Sequence, residues 1–240
     1  MQGVVIAAGR GMRLRPITDK IPKCMFELKG RPMLEHVLDR LIAANANEIL
    51  LVVGYKREVI EDHFGPEYGK AKLRYFVQEQ AKGTSHALSL VEDYVRDMFI
   101  LTNSDVLAET KYYKMLGDIG EYKKADAIML SRTVHDPWRF GVLKAQGNSV
   151  LDIVEKPMPG EEPSNLVNAG IYGFEKSIFE AVRETPLSAR NEYELVDSLK
   201  IFMAKKNRVE HRLIEGPCID IEHFHDVEEA NELDESEFPK

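Results

Sequence analysis

"GVVIAAGRGMRLRPITDKIPKCM", residues 3–25, runs from a β-branched strand into two glycines and then into arginines and prolines. Two cofactor loops start this way. The dinucleotide fingerprint needs G-x-G-x-x-G, its third glycine packing a helix that begins at once. Here Leu14 holds the third position, and no acidic residue follows a second strand at the expected place. Pro16 and Pro22 bias Arg15 and Ile21 to extended backbone, so no helix is expected before Pro32 at a first turn. A P-loop is excluded too, because no Gly-Lys-Ser/Thr follows. What remains is a strand-to-helix loop of about twenty residues, a length that is usually functional inside a compact domain. Backbone N–H groups around Gly9 and Gly11 can form an anion-holding nest, with Arg13 and Lys23 adding charge.

Outward from this loop, strand and helix patterns alternate. "VVIAA", "EILLVVGY", "LRYFVQ" and "MFILTNSD" read as strands; "PMLEHVLDRLIAA", "REVIEDHF" and "SHALSLVEDYV" have helical spacing. This rhythm predicts an α/β fold, a doubly wound, mostly parallel Rossmann-like sheet with right-handed crossovers and helices on both faces. Ligands then bind at the carboxyl ends of the strands, so the loops after "VVIAA", "LLVV" and "FILT" should share one crevice. The second half reads as strands "RFGVLKA", "SVLDIVE" and "LVNAGIYGF", helices at about 176–184 and 193–204, and strands "VEHRLI" and "CIDI". No linker composition separates it. We expect a single domain over 1–240, about 1–110 forming one half and about 111–240 a subdomain built onto the same sheet and closing over the crevice.

Bulk properties narrow the chemistry. With 44% hydrophobic and 30% charged residues, the 240-residue chain has the composition of a soluble globular protein able to bury a full core. Its net charge of −8 argues against nucleic acid or an anionic membrane as partner, since such binding needs clustered Lys and Arg. Anions would be bound in a local pocket. No apolar run reaches the roughly 20 residues that span a bilayer, and the start shows no signal-peptide layout, so a cytoplasmic location is expected. Cys24 and Cys218 lack metal-type spacing, which also suits a reducing compartment; Cys24, beside Lys23, would have a lowered pKa if exposed.

The pattern G-x-G-x-R-x-x-P-x-T, then Pro-Lys, then "GRPMLEHVL", resembles the signature of the sugar-1-phosphate nucleotidylyltransferases. Further segments match in order along the chain: "VVGY", "VQEQAKGTSHAL", "LTNSDV", "FGVLKAQGNSVLDIVEKP" with "VNAGIYGF", and "NEYELVD" before "IDIEHFHDVEEAN". The resemblance implies transfer of a nucleotidylyl group from a nucleoside triphosphate to a sugar phosphate, with release of pyrophosphate. A sugar phosphate is already largely a dianion at neutral pH, so little acid or base catalysis is required. The difficulty is electrostatic, and such a site should be rich in cations, with carboxylates where they hold a metal.

Residue by residue, the resemblance implies that Arg13 holds the β and γ phosphates, Lys23 neutralises charge near the α-phosphate and Lys156 grips the sugar phosphate. Ala8, Gly9 and Gly11 would line the nucleotide, and Asp105 and Asp220 would hold Mg²⁺, which is usually bound by one or two carboxylates plus substrate phosphates. Gln78, five positions before Gly83, would pair with uracil or thymine, and Gly83 and Thr84 would complete the base and ribose contacts; an amide can also suit cytosine. His86 falls on the following helix. Gly141, Glu155, Asn168 and Gly170 would meet the sugar.

The terminal motif departs from the family. The usual Asp-x-Gly-Thr becomes Asp220-Ile221-Glu222-His223. His223, His225 and Asp226 offer an alternative transition-metal set with Asp220, although exposed polar strand residues are the default reading. The preferred substrates are dTTP or UTP with a sugar 1-phosphate, glucose 1-phosphate first. Two alternatives stand: a cytidylyltransferase acting on phosphocholine or inositol phosphate, and a non-catalytic regulatory module that binds nucleotide sugars. The hexapeptide repeats of the family's C-terminal β-helix do not occur, so acyltransferase activity is not expected, and the sequence is compatible with a monomer or a homo-oligomer.

Overall fold

The computed structural model describes residues 1–118, 125–234 and 238. In chain order its elements are β1 (Gln2–Ala7), β2 (Glu27–Leu28), β3 (Arg31–Pro32), α1 (Met33–Ala43), β4 (Glu48–Val53), α2 (Arg57–Phe64), β5 (Glu67–Tyr68), β6 (Ala71–Val77), α3 (Thr84–Ser89), β7 (Phe99–Asn103), β8 (Val106–Ala108) and α4 (Thr110–Gly117). There follow β9 (Ala127–Thr133), β10 (Gly141–Gln146), β11 (Ser149–Glu155), β12 (Leu166–Phe174), α5 (Ile178–Glu184), α6 (Leu195–Ala204), β13 (Val209–Leu213), β14 (Cys218–Asp220) and α7 (Phe224–Glu232).

β1 lies at the heart of the sheet because its residues are buried on both faces. It pairs in parallel with β4 on one side and β7 on the other, Val4 meeting Leu50 and Leu101. Val5 and Ala7 enter the core built with α1 and α2, whereas Val4 and Ala8 enter the core built with α3, α5 and α6. That two-residue alternation, apolar on both sides, is what a strand covered by helices on both faces requires. β12 joins β7 and β9 antiparallel, and both halves of the sequence thereby enter one ten-stranded sheet of order β10-β11-β13-β9-β12-β7-β1-β4-β6-β5. A separate two-stranded ribbon pairs β8 with β14.

The glycine loop contains no α-helix. It folds as three single 3₁₀ turns, Met12–Leu14, Ile17–Asp19 and Lys23–Met25, with Arg15 extended ahead of Pro16 as expected. Buried Leu14, Cys24 and Met25 pin it to the core, so it is a fixed structure rather than a solvated basic loop. α1 then starts after Pro32 and buries Met33, Leu34, Val37, Leu38 and Leu41, the i, i+3, i+4 stripe of an amphipathic helix.

The sequence patterns above include neither α4 nor β9, and two elements that they do include differ in the structure. The helix expected over "SHALSLVEDYV" stops at Ser89. Ser89 donates its hydroxyl back to the His86 carbonyl, and the amides of Leu90 and Val91 reach Ala87 and Leu88, tightening the chain to i−3 bonding. The segment after Asp220, read as polar strand, instead becomes α7. Its N-terminus is held by a reciprocal cap in which the Asp226 carboxylate accepts the His223 amide at 2.6 Å.

Candidate active site

A cavity of about 430 Å³ opens at the carboxyl ends of β1 and β7 and is walled on the other side by β10, β11 and β12. It brings together Gly11, Arg13 and Lys23 from the glycine loop, Thr84 from α3, Asp105 after β7, and Asp220 at the end of β14. Gly141, Glu155, Lys156, Asn168 and Gly170 face them from the second half. Ala8 and Gln78 line a second depression of about 510 Å³ with Gly54 and Tyr55, so the loop after β4 opens there rather than into the main cavity.

Asp105 and Asp220 arrive from strands far apart in sequence. The ribbon sets Asp220 opposite Val106, and the Ile221 amide donates to the Asp105 carbonyl at 3.0 Å. Lys23 Nζ lies 2.6 Å from Asp105 Oδ2, and Arg132 Nη2 lies 2.6 Å from Asp220 Oδ2. Burial, reinforced by repulsion from Asp105, pushes the Asp220 carboxyl up to about 6 despite Arg132 and Lys23. Burial works against the Lys23 ammonium, but attraction and hydrogen bonding to Asp105, with Asp220 and Glu222 beyond, leave its pKa raised. Two repelling carboxylates on a cavity wall are the oxygen donors a hard divalent cation takes, so this pair fits Mg²⁺.

The wall contributed by the second half is organised by β12, whose pairing with β9 shifts register between Asn168 and Tyr172. Gly170 adopts φ +73, and a side chain there would lie 2.6 Å from the Asn103 amide. Asn168 Oδ1 accepts the Gly170 amide at 2.9 Å while its Nδ2 donates to the Tyr172 hydroxyl at 2.5 Å. The site amide is thus oriented on both ends. Glu155 lies beside Arg190 at 3.1 Å; burial and repulsion from Glu194 nevertheless hold its pKa above the usual carboxylate value. A methyl at Gly141 would sit 3.0 Å from Glu155 Oε2, so the glycine leaves room for that carboxylate. Lys156 is exposed at the rim, on a backbone of φ +45.

Near the expected base site, Gln78 is buried and its amide nitrogen donates to the Gly83 carbonyl at 3.0 Å and lies 2.9 Å from His86 Nδ1. His86 is on α3, as expected, and orients this amide. Gly83 packs directly on Tyr193, and Thr84 Oγ1 accepts the Leu195 amide at 3.0 Å. The "NEYELVD" segment is therefore a support for the "GTS" turn.

On the glycine loop, Gly11 is left-handed at φ 59, and its carbonyl accepts the Leu14 amide and the Thr18 hydroxyl, both at 2.9 Å. Exposed Gly9 precedes it. Arg13 extends to Glu222 at 3.0 Å, and Arg139 pairs with the same carboxylate. Cys24 is buried and burial pushes its thiol up to about 12, the opposite of the lowered pKa an exposed thiol would have beside Lys23. His223, His225 and Asp226 do bring ligand atoms within 4.8 Å of one another, but Asp220 is not in that group. Asp226 Oδ2 is occupied in capping α7, and a helix N-terminus disfavours a cation.

Arg132, Arg139, Arg190, Asn103 and Tyr172 also line or brace the site. Asn103 and Tyr172 fall inside the quoted segments "LTNSDV" and "VNAGIYGF", but no role is drawn for them there. Arg190, three residues before "YEL", was within reach of the sequence reading, whereas Arg132 is recognisable only once β9 is set beside β14's carboxylate.

A sequence profile of the nucleotidyl transferase family matches residues 2–237. A UTP-glucose-1-phosphate uridylyltransferase of Haloferax volcanii, AglF, is 36% identical over 238 residues, covering 97% of this chain and 96% of that protein. The bifunctional protein GlmU of Methanocaldococcus jannaschii is 36% identical over 233 residues, which are 96% of this chain and 53% of GlmU, so the chain spans about half of that relative. Among solved structures, a UDP-glucose pyrophosphorylase in complex with UDP-glucose superposes with a TM-score of 0.87 at 25% identity, covering 96% of each chain.

Proposed function

The chain belongs to the nucleotidyl transferase family, and from that premise we propose that it transfers a nucleotidylyl group from UTP or dTTP to a sugar 1-phosphate, glucose 1-phosphate first, giving a nucleotide sugar and pyrophosphate. The observation that carries this reading is the two-sided cavity: Gly11, Arg13 and Lys23 face Glu155, Lys156, Asn168 and Gly170 across the Asp105 and Asp220 carboxylates. The similarity to a UTP-dependent enzyme acting on glucose 1-phosphate supports the choice of substrates and puts UTP first.

On this reading the sugar phosphate attacks the α-phosphorus, the bond to the β-phosphate oxygen breaks, and pyrophosphate leaves. No base is needed, because the nucleophile is already a dianion. Lys23 reduces the repulsion between the two anions at the α-phosphate. Arg13 binds the β and γ phosphates, where a guanidinium offers paired N–H donors to the departing charge. Lys156 at the opposite rim anchors the sugar phosphate, and Asn168, fixed by Gly170 and Tyr172, recognises ring hydroxyls with Glu155. Gln78, supported by His86, offers its carbonyl oxygen to the N3–H of the base. Asp105 and Asp220 would hold Mg²⁺, which when bound supplies positive charge to the triphosphate. Among the described residues no helix is long and apolar enough to cross a membrane; we assign the enzyme to the cytoplasm because nucleoside triphosphates are held there.

The test is pyrophosphate release with Mg²⁺, each common nucleoside triphosphate against a panel of sugar 1-phosphates, phosphocholine and inositol phosphate. Turnover with UTP or dTTP and one hexose 1-phosphate is expected. A signal confined to CTP would replace this reading with the cytidylyl branch, and silence in a folded protein that still binds nucleotide would replace it with a regulatory module.

A further inference from the structure

Glu222 stands where the family pattern has glycine, and the structure gives it a specific position. It stands two residues beyond the end of β14, and its amide donates to Asp226 Oδ2 at 2.7 Å, so its backbone is tied to the capped end of α7. Its carboxylate, with 18% of the side chain exposed, stands in the main cavity. One oxygen accepts Arg13 at 3.0 Å; the other accepts Arg139, which is also paired with Asp136 at 2.7 Å. Arg13 comes from the glycine loop and Arg139 from the turn before β10, so one fixed anion ties together cations from the two sides of the cavity. Arg13 is the most exposed of the three: 56% of its side chain is exposed, against 39% for Arg139 and 18% for Glu222.

We propose that Glu222 is a positioning residue that holds Arg13 until a triphosphate displaces it, so that binding a β,γ-diphosphate must break this ion pair whereas binding a monophosphate leaves it intact. The inference rests on Arg13 being the β,γ-phosphate contact. A guanidinium binds a polyphosphate more strongly than a single carboxylate, because paired charge-assisted donors meet more negative charge. A nucleoside monophosphate has nothing to offer Arg13 and leaves the Glu222 contact intact. Arg139 keeps Asp136 as a partner in either state, so the exchange is carried by Arg13.

The experiment measures equilibrium binding of UTP and UMP, at fixed ionic strength with Mg²⁺ and no sugar phosphate, to the wild type, Glu222→Gln, Arg13→Gln and the double variant. Partly exposed ion pairs are worth up to about 1 kcal/mol, so Glu222→Gln should tighten UTP about two- to fivefold while leaving UMP unchanged. In the Arg13→Gln background the same substitution should change UTP affinity by less than that gain. Unchanged or weaker UTP binding, an equal gain for UMP, or an equal gain without Arg13 would overturn the proposal; the last two would show a general charge effect. Glu222→Ser repeats the test if the Gln variant does not fold. Failure of the wild type to bind any of UTP, dTTP or CTP would overturn the nucleotide reading and this inference with it, whereas good wild-type binding that Glu222→Gln leaves untouched would overturn only the role of Glu222.

Discussion

Gly83→Ala should be among the most damaging small substitutions in this protein, while Gly9→Ala, at another glycine of the proposed nucleotide site, should be nearly silent. Gly83 lies at φ 101 and ψ 174, a region open essentially to glycine alone, and forcing alanine into it costs about 1–3 kcal/mol. The new methyl would also lie 2.5 Å from the Tyr193 carbonyl oxygen and 2.8 Å from its nitrogen. Backbone cannot swing aside as a lysine tip could. Relief means separating the two segments, which stretches the Tyr193 amide to Lys82 carbonyl bond and the Ser85 amide to Tyr193 carbonyl bond, now 2.8 and 2.9 Å. At about 0.5–1.5 kcal/mol each, these losses bring the total to about 4 kcal/mol. For a chain of this length that lowers the melting temperature by about 8–16 °C. A methyl on Gly9 meets nothing within 4 Å, so its variant should stay within about 0.5 kcal/mol of wild type. Urea unfolding of both variants checks this; a Gly83→Ala loss below about 1 kcal/mol, or an equal loss at Gly9, would refute the reasoning.

Asp105→Ala should lower pyrophosphate release on the order of 10²-fold or more while the far-ultraviolet spectrum stays native, because the Ile221 amide still bonds the residue 105 carbonyl; wild-type turnover would sink the metal assignment. Glu155→Gln should be more stable than wild type at neutral pH. Burial and Glu194 raise the folded-state pKa, so folding takes up a proton just above the ordinary carboxylate range of about 4, and the charged form costs stability as pH rises through the folded value. The advantage of the variant should therefore vanish below about pH 4, and a gap independent of pH would contradict it. Arg190 retains Glu194 at 3.3 Å in that variant. Finally, Cys24 is buried and burial pushes its thiol up to about 12, so Ellman's reagent at about pH 8 should not reach it in the native protein and should label it in denaturant; rapid native labelling of Cys24 would be inconsistent with the fold.

The architecture was readable where one physical requirement dominates a segment. β1, β4 and β7 are continuous apolar runs because helices cover both faces, and α1 carries its stripe openly. The glycine loop was readable by exclusion, since Leu14 and the two prolines rule out the dinucleotide loop and the missing Gly-Lys-Ser/Thr rules out the P-loop. Reading failed where a distant contact or a local cap decides. α7 was missed because its cap uses His223 and Asp226 rather than the usual Ser or Thr with Glu, and α3 was made too long because periodicity says nothing of the Ser89 hydroxyl. Arg132 and Arg139 could not be linked to carboxylates more than eighty residues away without the sheet order that joins them, as the separations of 88 and 83 residues show. The environment of Cys24 was also hidden, since a charged neighbour in sequence says nothing about burial.

The ribbon of β8 with β14 places Asp220 against a strand laid down more than a hundred residues earlier. A ribosome that has already delivered Arg13, Lys23 and Asp105 must still translate for roughly 6 to 23 seconds, at about 5–20 residues per second, before the second carboxylate exists. During that interval the half-built chain holds cations without the acid that completes the pair. On the proposed reading, the two-carboxylate wall is complete only when this last strand pairs with β8.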